Sequence, residues 1–309
     1  MDFPLDGSPP ASLASTGITA RKGLSLSPDD RKVVWSACVE VPQIVSFDAA
    51  GKMRRAVENE VPEPTALTDV PGTRQVAVVS TRGGKAEPWI LGMSTDALPQ
   101  PIPVGTLKVR DIAVSRDGKR FVVGVPGDGL YVGMLAGQGA LRRVTTDGAD
   151  SAPSFRAGDS QILFTRRPSN GPSRIFSVPV DGGPPTLLLP DGSDSGSASP
   201  VDDRVVYLEG ASMSDSVVKI WDGHGTRALS SQLGPGRYGA PRFSPDGRRV
   251  ALQRGDTEVL EVDAASGMII RTLSTPTGDL LSNPTYTAAG LVAIRVRFQG
   301  NLWMADVTR

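Results

Sequence analysis

Short apolar runs recur along the chain, each introduced by a polar turn. The clearest stretch is Phe243-Ser244-Pro245-Asp246-Gly247-Arg248-Arg249-Val250-Ala251-Leu252, in which one apolar residue, a Pro-Asp-Gly turn and a run of strand composition follow each other. Proline presets φ at the first corner, aspartate favours the second and glycine supplies the left-handed closing residue, so the stretch predicts a β-hairpin. Ser27 to Trp35 and Ser115 to Val123 repeat it closely, and looser copies lie at Arg156 to Phe164, Ser199 to Tyr207, Asp69 to Val78 and Thr287 to Ile294. Turns at 27, 68, 115, 156, 199, 244 and 287 keep a spacing of 41 to 47 residues. A period of that size with only strand signals inside it is the mark of propeller blades. The expectation is an all-β, seven-bladed propeller of four-stranded antiparallel blades.

Within each unit a third apolar run follows the hairpin: Gln43–Phe47, Trp89–Met93, Leu130–Leu135, Arg174–Val180, Val217–Trp221, Glu258–Val262 and Asn301–Val307. Fourth strands are expected at Arg142–Thr145, Thr186–Leu189 and Ile269–Leu273. The seventh unit runs out after its third strand, and an unpaired edge is unfavourable. An N-terminal strand around Ile18 is therefore expected to close the ring. Residues 1–16, rich in Pro, Ser and Ala without periodicity, read as a linker, and 17–309 as the propeller.

Composition agrees with many short strands and tight turns: 35 Gly and 26 Pro among 309 residues. The 33 basic and 33 acidic residues cancel, which disfavours a nucleic-acid or anionic-membrane partner, both of which are drawn by clustered positive charge. Cys38 is the single cysteine, so no internal disulfide can form. No run approaches the ~18 apolar residues a membrane helix needs, and Met1-Asp2-Phe3-Pro4-Leu5-Asp6 lacks the features of a signal peptide. The compartment stays open: cytoplasmic as it stands, periplasmic or extracytoplasmic if the chain is a trimmed domain.

The Ser-Pro-Asp-Gly-Arg-Arg-Val-Ala pattern, together with Thr145-Thr146-Asp147-Gly148 and Pro153-Ser154-Phe155 ahead of the next turn, resembles the TolB-type (WD40-like) propeller repeat. The resemblance covers about residues 17–309 and carries best between Val144 and Asp181. The amino-terminal domain of TolB itself has no counterpart. What the resemblance implies is a non-catalytic protein-binding or sensor module, the partner-binding part of a larger bacterial envelope or signalling protein. A monomer with a protein or peptide partner and no cofactor is expected.

Chemistry is sparse. His224, the only histidine, sits in a Gly-rich turn, far from the base–nucleophile arrangements that hydrolysis uses. No Gly-x-Ser-x-Gly elbow occurs. Asp191 to Ser197 alternates oxygen side chains around Gly196 and faintly resembles a calcium loop, but position twelve is Asp202 rather than glutamate. One group invites a docking role: Arg82, Lys85, Arg166, Arg167, Tyr238, Arg254 and Arg297 all fall in loops expected on the face opposite the Pro-Asp-Gly turns. A propeller lyase or hydrolase with a central-channel site, and a structural scaffold, remain the alternatives.

Overall fold

The computed structural model describes residues 20–306, apart from 30, 56–63, 82–83, 94–97, 138, 213 and 276. Two compact units divide the chain, residues 42–296 and residues 1–41 with 297–309. The larger one is a propeller of six blades. Blade I contains β4 (Pro64–Val70), β5 (Gln75–Ser80), β6 (Glu87–Gly92) and β7 (Gln100–Pro101). Blade II contains β8 (Asp111–Val114), β9 (Arg120–Val125), β10 (Gly129–Met134) and β11 (Arg142–Arg143). Blade III comprises β12 (Asp150–Phe155), β13 (Gln161–Arg166), β14 (Arg174–Pro179) and β15 (Thr186–Leu189). Blade IV comprises β16 (Ser193–Ala198), β17 (Val205–Ser212), β18 (Asp215–Trp221) and β19 (Thr226–Ala228). Blade V has β20 (Tyr238–Phe243), β21 (Arg249–Arg254), β22 (Glu258–Asp263) and β23 (Ile269–Ser274). Every pairing within these sheets is antiparallel and follows chain order.

Blade VI is assembled from both ends of the chain. Its inner strands are β24 (Leu280–Thr287) and the first part of β25 (Gly290–Asp306). Its outer strands are the last part of β2 (Lys32–Phe47) and β3 (Met53–Arg55). Two strands from the N-terminal part of the chain thus complete the ring; Ile18, around which a closing strand is expected, lies outside the described residues. This also corrects the blade count from seven to six. The apolar runs 33–36 and 43–47 are not separate strands: they belong to one continuous β2 of 16 residues, because no Gly or Asp interrupts Cys38-Val39-Glu40-Val41-Pro42. The runs 291–294 and 301–306 likewise merge into a 17-residue β25. The first and last repeats share one sheet. In the smaller unit, β1 (Ala20–Leu26) pairs antiparallel with β2 from Ala20↔Ala37 to Leu26↔Val33, around the turn at Ser27.

The second strands explain the ring's stability. Buried on both faces, they read as continuous apolar runs in which alternate residues serve opposite blade interfaces. Val76 and Val78 pack toward blade VI, with Ile44, Val292 and Ile294, whereas Ala77 and Val79 pack toward blade II, with Phe121 and Val123. Ile162 and Phe164 face blade II, while Leu163 faces blade IV beside Tyr207. Val250 and Leu252 join the core with blade IV, and Ala251 the one with blade VI. Each of the six interfaces has its own apolar core.

Arginines pin the blades at their edges. Arg142 donates to the carbonyls of Val180 and Asp181 in blade III, both at 2.7 Å. Arg227 does the same to Ala264 at 2.6 Å, and Arg271 to Asp48 at 2.7 Å across the ring closure. Nearer the axis, Arg120 donates to Asp159 O (2.9 Å) and Arg204 to Gly247 O (2.8 Å). The Ser-x-Asp-Gly turns are self-braced: Ser115 Oγ donates to Asp117 and Ser244 Oγ to Asp246, which holds both carboxyls below their usual range. Gly247, at φ 68°, is needed twice over, since a Cβ there would stand 2.5 Å from Val201 of blade IV.

Candidate axial site

The innermost strands β4, β8, β12, β16, β20 and β24 line the propeller axis. Five of them carry a register shift, one near the start of β4 at Pro64/Ala66 and four further along the strand, at Ser151/Ser154, Asp194/Ser197, Gly239/Arg242 and Ser282/Thr285. At three of these bulges a non-glycine residue takes a left-handed conformation: Ala152, Ser195 and Asn283. A bulge re-aims the residues after it. Those residues line a cavity of about 350 Å³ at the end of the channel where the Pro-Asp-Gly turns lie.

Pairing to the second strands makes the blades comparable position by position. The rung opposite Ala77, Val122, Leu163, Val206, Ala251 and Val292 holds Thr68, Ala113, Ser154, Ser197, Arg242 and Thr285. All six line the cavity, and Arg242 is the only charged one. The next rung holds Asp69, Val114, Phe155, Ala198, Phe243 and Tyr286. Asp69 therefore occupies a position that every other blade fills with an apolar or aromatic side chain. Two departures from the repeat fall in one cavity.

Their electrostatics follow from that placement. Burial pushes the Asp69 carboxyl up to about 6, against the opposing pull of its own backbone amide, Arg242, Thr285 and Thr68. Burial lowers the Arg242 guanidinium, against the pull of Asp111 and Asp69. Among the described residues no carboxylate lies within 4.0 Å of that guanidinium, and its one hydrogen bond goes to Pro241 O at 3.2 Å. Thr285 Oγ1 reaches Asp69 only at 3.4 Å. The other charges nearby are engaged: Asp159 accepts from the backbone amides of Arg116 and Asp117 (2.9 and 3.0 Å), and Arg156 pairs with Asp203 at 3.1 Å. Arg116 reaches over to the Pro200 carbonyl.

The expected docking residues are placed elsewhere. Arg166 makes a bidentate pair with fully buried Asp150 (2.6 and 3.0 Å), also meets Asp147, and lies over the Phe176 ring. Arg167 bridges to Asp194 of blade IV and to Ser151. Lys85 pairs with Glu87 at 2.6 Å and Arg254 with Glu258 at 2.7 Å. Tyr238 is buried and donates to Gly234 O at 2.9 Å. Arg297 lies on β25 in the smaller unit, and Arg82 lies outside the described residues. The structure brings Arg166 and Arg167 together, but as internal ties of blades III and IV. The oxygen-rich loop is engaged too, Asp191 with Arg174 and Asp194 with Arg167. His224 is exposed in its turn, where Asp222 accepts from its backbone amide. Among the described residues no group of three or more His, Cys, Asp or Glu could hold a metal ion, and no helix is long and apolar enough to cross a membrane.

Sequence reasoning missed Arg242, Asp69 and Asp111. The signal was present: Pro241-Arg242-Phe243 stands where other repeats read Pro153-Ser154-Phe155 and Pro284-Thr285-Tyr286.

The fold and cavity define a six-bladed propeller with a polar axial site. That fold is TolB-like. A candidate TolB from Agrobacterium tumefaciens superposes with a TM-score of 0.67 at 18% identity, over 84% of this chain and 99% of that one. TolB from Acinetobacter baumannii gives 0.56 at 16% identity, over 94% of this chain and 68% of that one. A chain of a nidogen/laminin complex gives 0.58 at 11% identity, over 83% and 98%. No family model matches the sequence, and no curated relative does. At these identities the likeness concerns fold alone.

Proposed function

We propose that the chain is a non-catalytic binding module that docks a protein or peptide partner on the face carrying the mouth of the axial cavity, and that it serves as the partner-binding part of a larger envelope or signalling protein. The observation that carries this reading is the contrast between the two faces. On the loop side Lys85, Arg166, Arg167, Arg254 and Arg237 are each tied to a neighbouring carboxylate. On the turn side an open polar cavity is rimmed by Arg116, Pro71, Pro200 and Pro245. Rigid prolines and a cation around a concave centre suit docking at low entropic cost. The nidogen/laminin likeness, a propeller fold within a protein complex, supports it at the level of fold.

A second reading rests on one observation. A half-buried carboxyl raised to about pKa 6, in the field of a guanidinium, is suited to proton transfer, so Asp69 would be the acid–base group of a channel lyase or hydrolase. Cross-linking capture from the source organism decides between faces: Arg116→Glu is expected to lose the partner kept by wild type and by Lys85→Glu. Loss in the Lys85 variant alone would move docking to the loop face. Turnover of any substrate that disappears in Asp69→Asn would replace the binding reading with the enzymatic one.

A further inference from the structure

The cavity holds a cation and an anion that the fold has left apart. Arg242 carries five N–H donors and spends one on Pro241 O. Asp69 has its own backbone amide, the long contact from Thr285 and a bond from Thr68 to set against its loss of water, and burial still outweighs them. Both lie where the other blades place neutral side chains, so neither is required by the repeat. Unpaired charged groups in a desolvated site cost free energy unless something completes them.

A simple anion would satisfy Arg242 but meet the field of Asp69 and Asp111, and a simple cation would satisfy Asp69 but meet Arg242. A molecule carrying both charges completes both groups and leaves the net charge of the channel unchanged. Hydroxyls of Thr68, Ser154, Ser197 and Thr285 offer further donors and acceptors around it. At about 350 Å³ the cavity stands at the small end of the range of roughly 300–1,000 Å³ usual for ligand sites. We infer that the axial cavity is a binding site for a small zwitterion of amino-acid size, its carboxylate on Arg242 and its ammonium on Asp69. This site is independent of partner docking at the rim, and its test does not use a partner.

Calorimetric titration of the intact chain at pH 7.5 with glycine, β-alanine and 4-aminobutyrate, which differ only in charge spacing, tests the inference. Acetate and methylammonium serve as the separated halves. At least one zwitterion is expected to bind saturably and raise the melting temperature, with neither half doing so at the same concentration. Arg242→Gln and Asp69→Asn should each weaken that binding about tenfold or more, the loss of one charge-assisted contact. Arg242→Lys, which keeps the charge, should retain part of it and checks that the site still folds. Acetate binding as tightly as the best zwitterion would make this a plain anion site, and methylammonium doing so a cation site. Either result overturns the inference, as does the absence of saturable binding by all three zwitterions, or binding undiminished in both charge-removing variants.

Discussion

At the scale of single residues, burial rather than pairing sets the behaviour of Asp69. Its folded pKa, about 6, lies above the unfolded value of 3.8, so the native state holds its proton to higher pH than the unfolded chain does. The neutral form is favoured by folding, and stability attributable to this group is present below the unfolded value and lost as pH rises to about 6. Asp69→Asn removes the ionisation and keeps the shape. The variant should therefore match wild type near pH 4 and become progressively more stable than it between pH 4 and 6.5, by up to about 3 kcal/mol. Chemical denaturation of both proteins across that range measures the difference. A difference that stays constant with pH would mean that Asp69 is solvated by the channel and titrates normally. Carboxyls such as Asp117 and Asp246 shift the other way, held down by their serine hydroxyls, but they are common to both proteins and cancel.

At the scale of strands and blades, the arginines divide by the partner they reach. Glu261 of β22 is 1% exposed and accepts from Arg249 (3.0 Å), Arg271 (2.5 Å) and the Tyr286 hydroxyl (3.0 Å), tying blade V to blade VI. Arg271 also bonds Asp48 O on the closing strands. Arg271→Ala leaves a buried carboxylate short of one cation and frees a backbone carbonyl, and should destabilise by about 2–3 kcal/mol. Arg142→Ala breaks a similar blade-to-blade bond, but its Asp181 partner is 84% exposed, so under about 1 kcal/mol is expected. Equal denaturation midpoints for the two variants would show that the Glu261 cluster carries no special weight. Much of this level was legible in sequence. Phe121, Phe164 and Tyr207, which recur in the second strands, are interblade core. The third strands of blades I to V fall within two residues of the apolar runs. Side-chain pairing was not legible, because the loop arginines find their partners through cross-strand register and neighbouring blades: Arg166 and Asp150 are 16 residues apart, Arg167 and Asp194 27. The axial site was half legible. Arg242 breaks the pattern of its repeat visibly, whereas Asp69 sits in one of the looser copies, where register and not motif shows that its rung is apolar elsewhere.

At the scale of the whole ring, seven turn motifs yield six blades because closure consumes two partial repeats. The break in the logic is physical: a turn needs residues that leave the extended conformation, and between Val33 and Phe47 none interrupts β2, so the chain runs straight through where a blade would have ended. Blade VI then owes its outer half to residues 42–55, and its core couples Ile44 to blade I and Val45 with Phe47 to blade V. Removing those strands leaves β25 with a bare edge and opens two apolar cores at once. A chain of residues 42–296 should therefore fold with β-type circular dichroism and a single cooperative transition. A chain of residues 56–296 should lose that transition or aggregate. Supplying residues 42–55 as a separate peptide should restore part of the lost transition, since the cleft it fills is already shaped by blades V, VI and I. Equal melting of the two shortened chains would place the closure elsewhere. Failure of 42–296 alone to fold would mean that the ring depends on the smaller unit as well as on its own six interfaces.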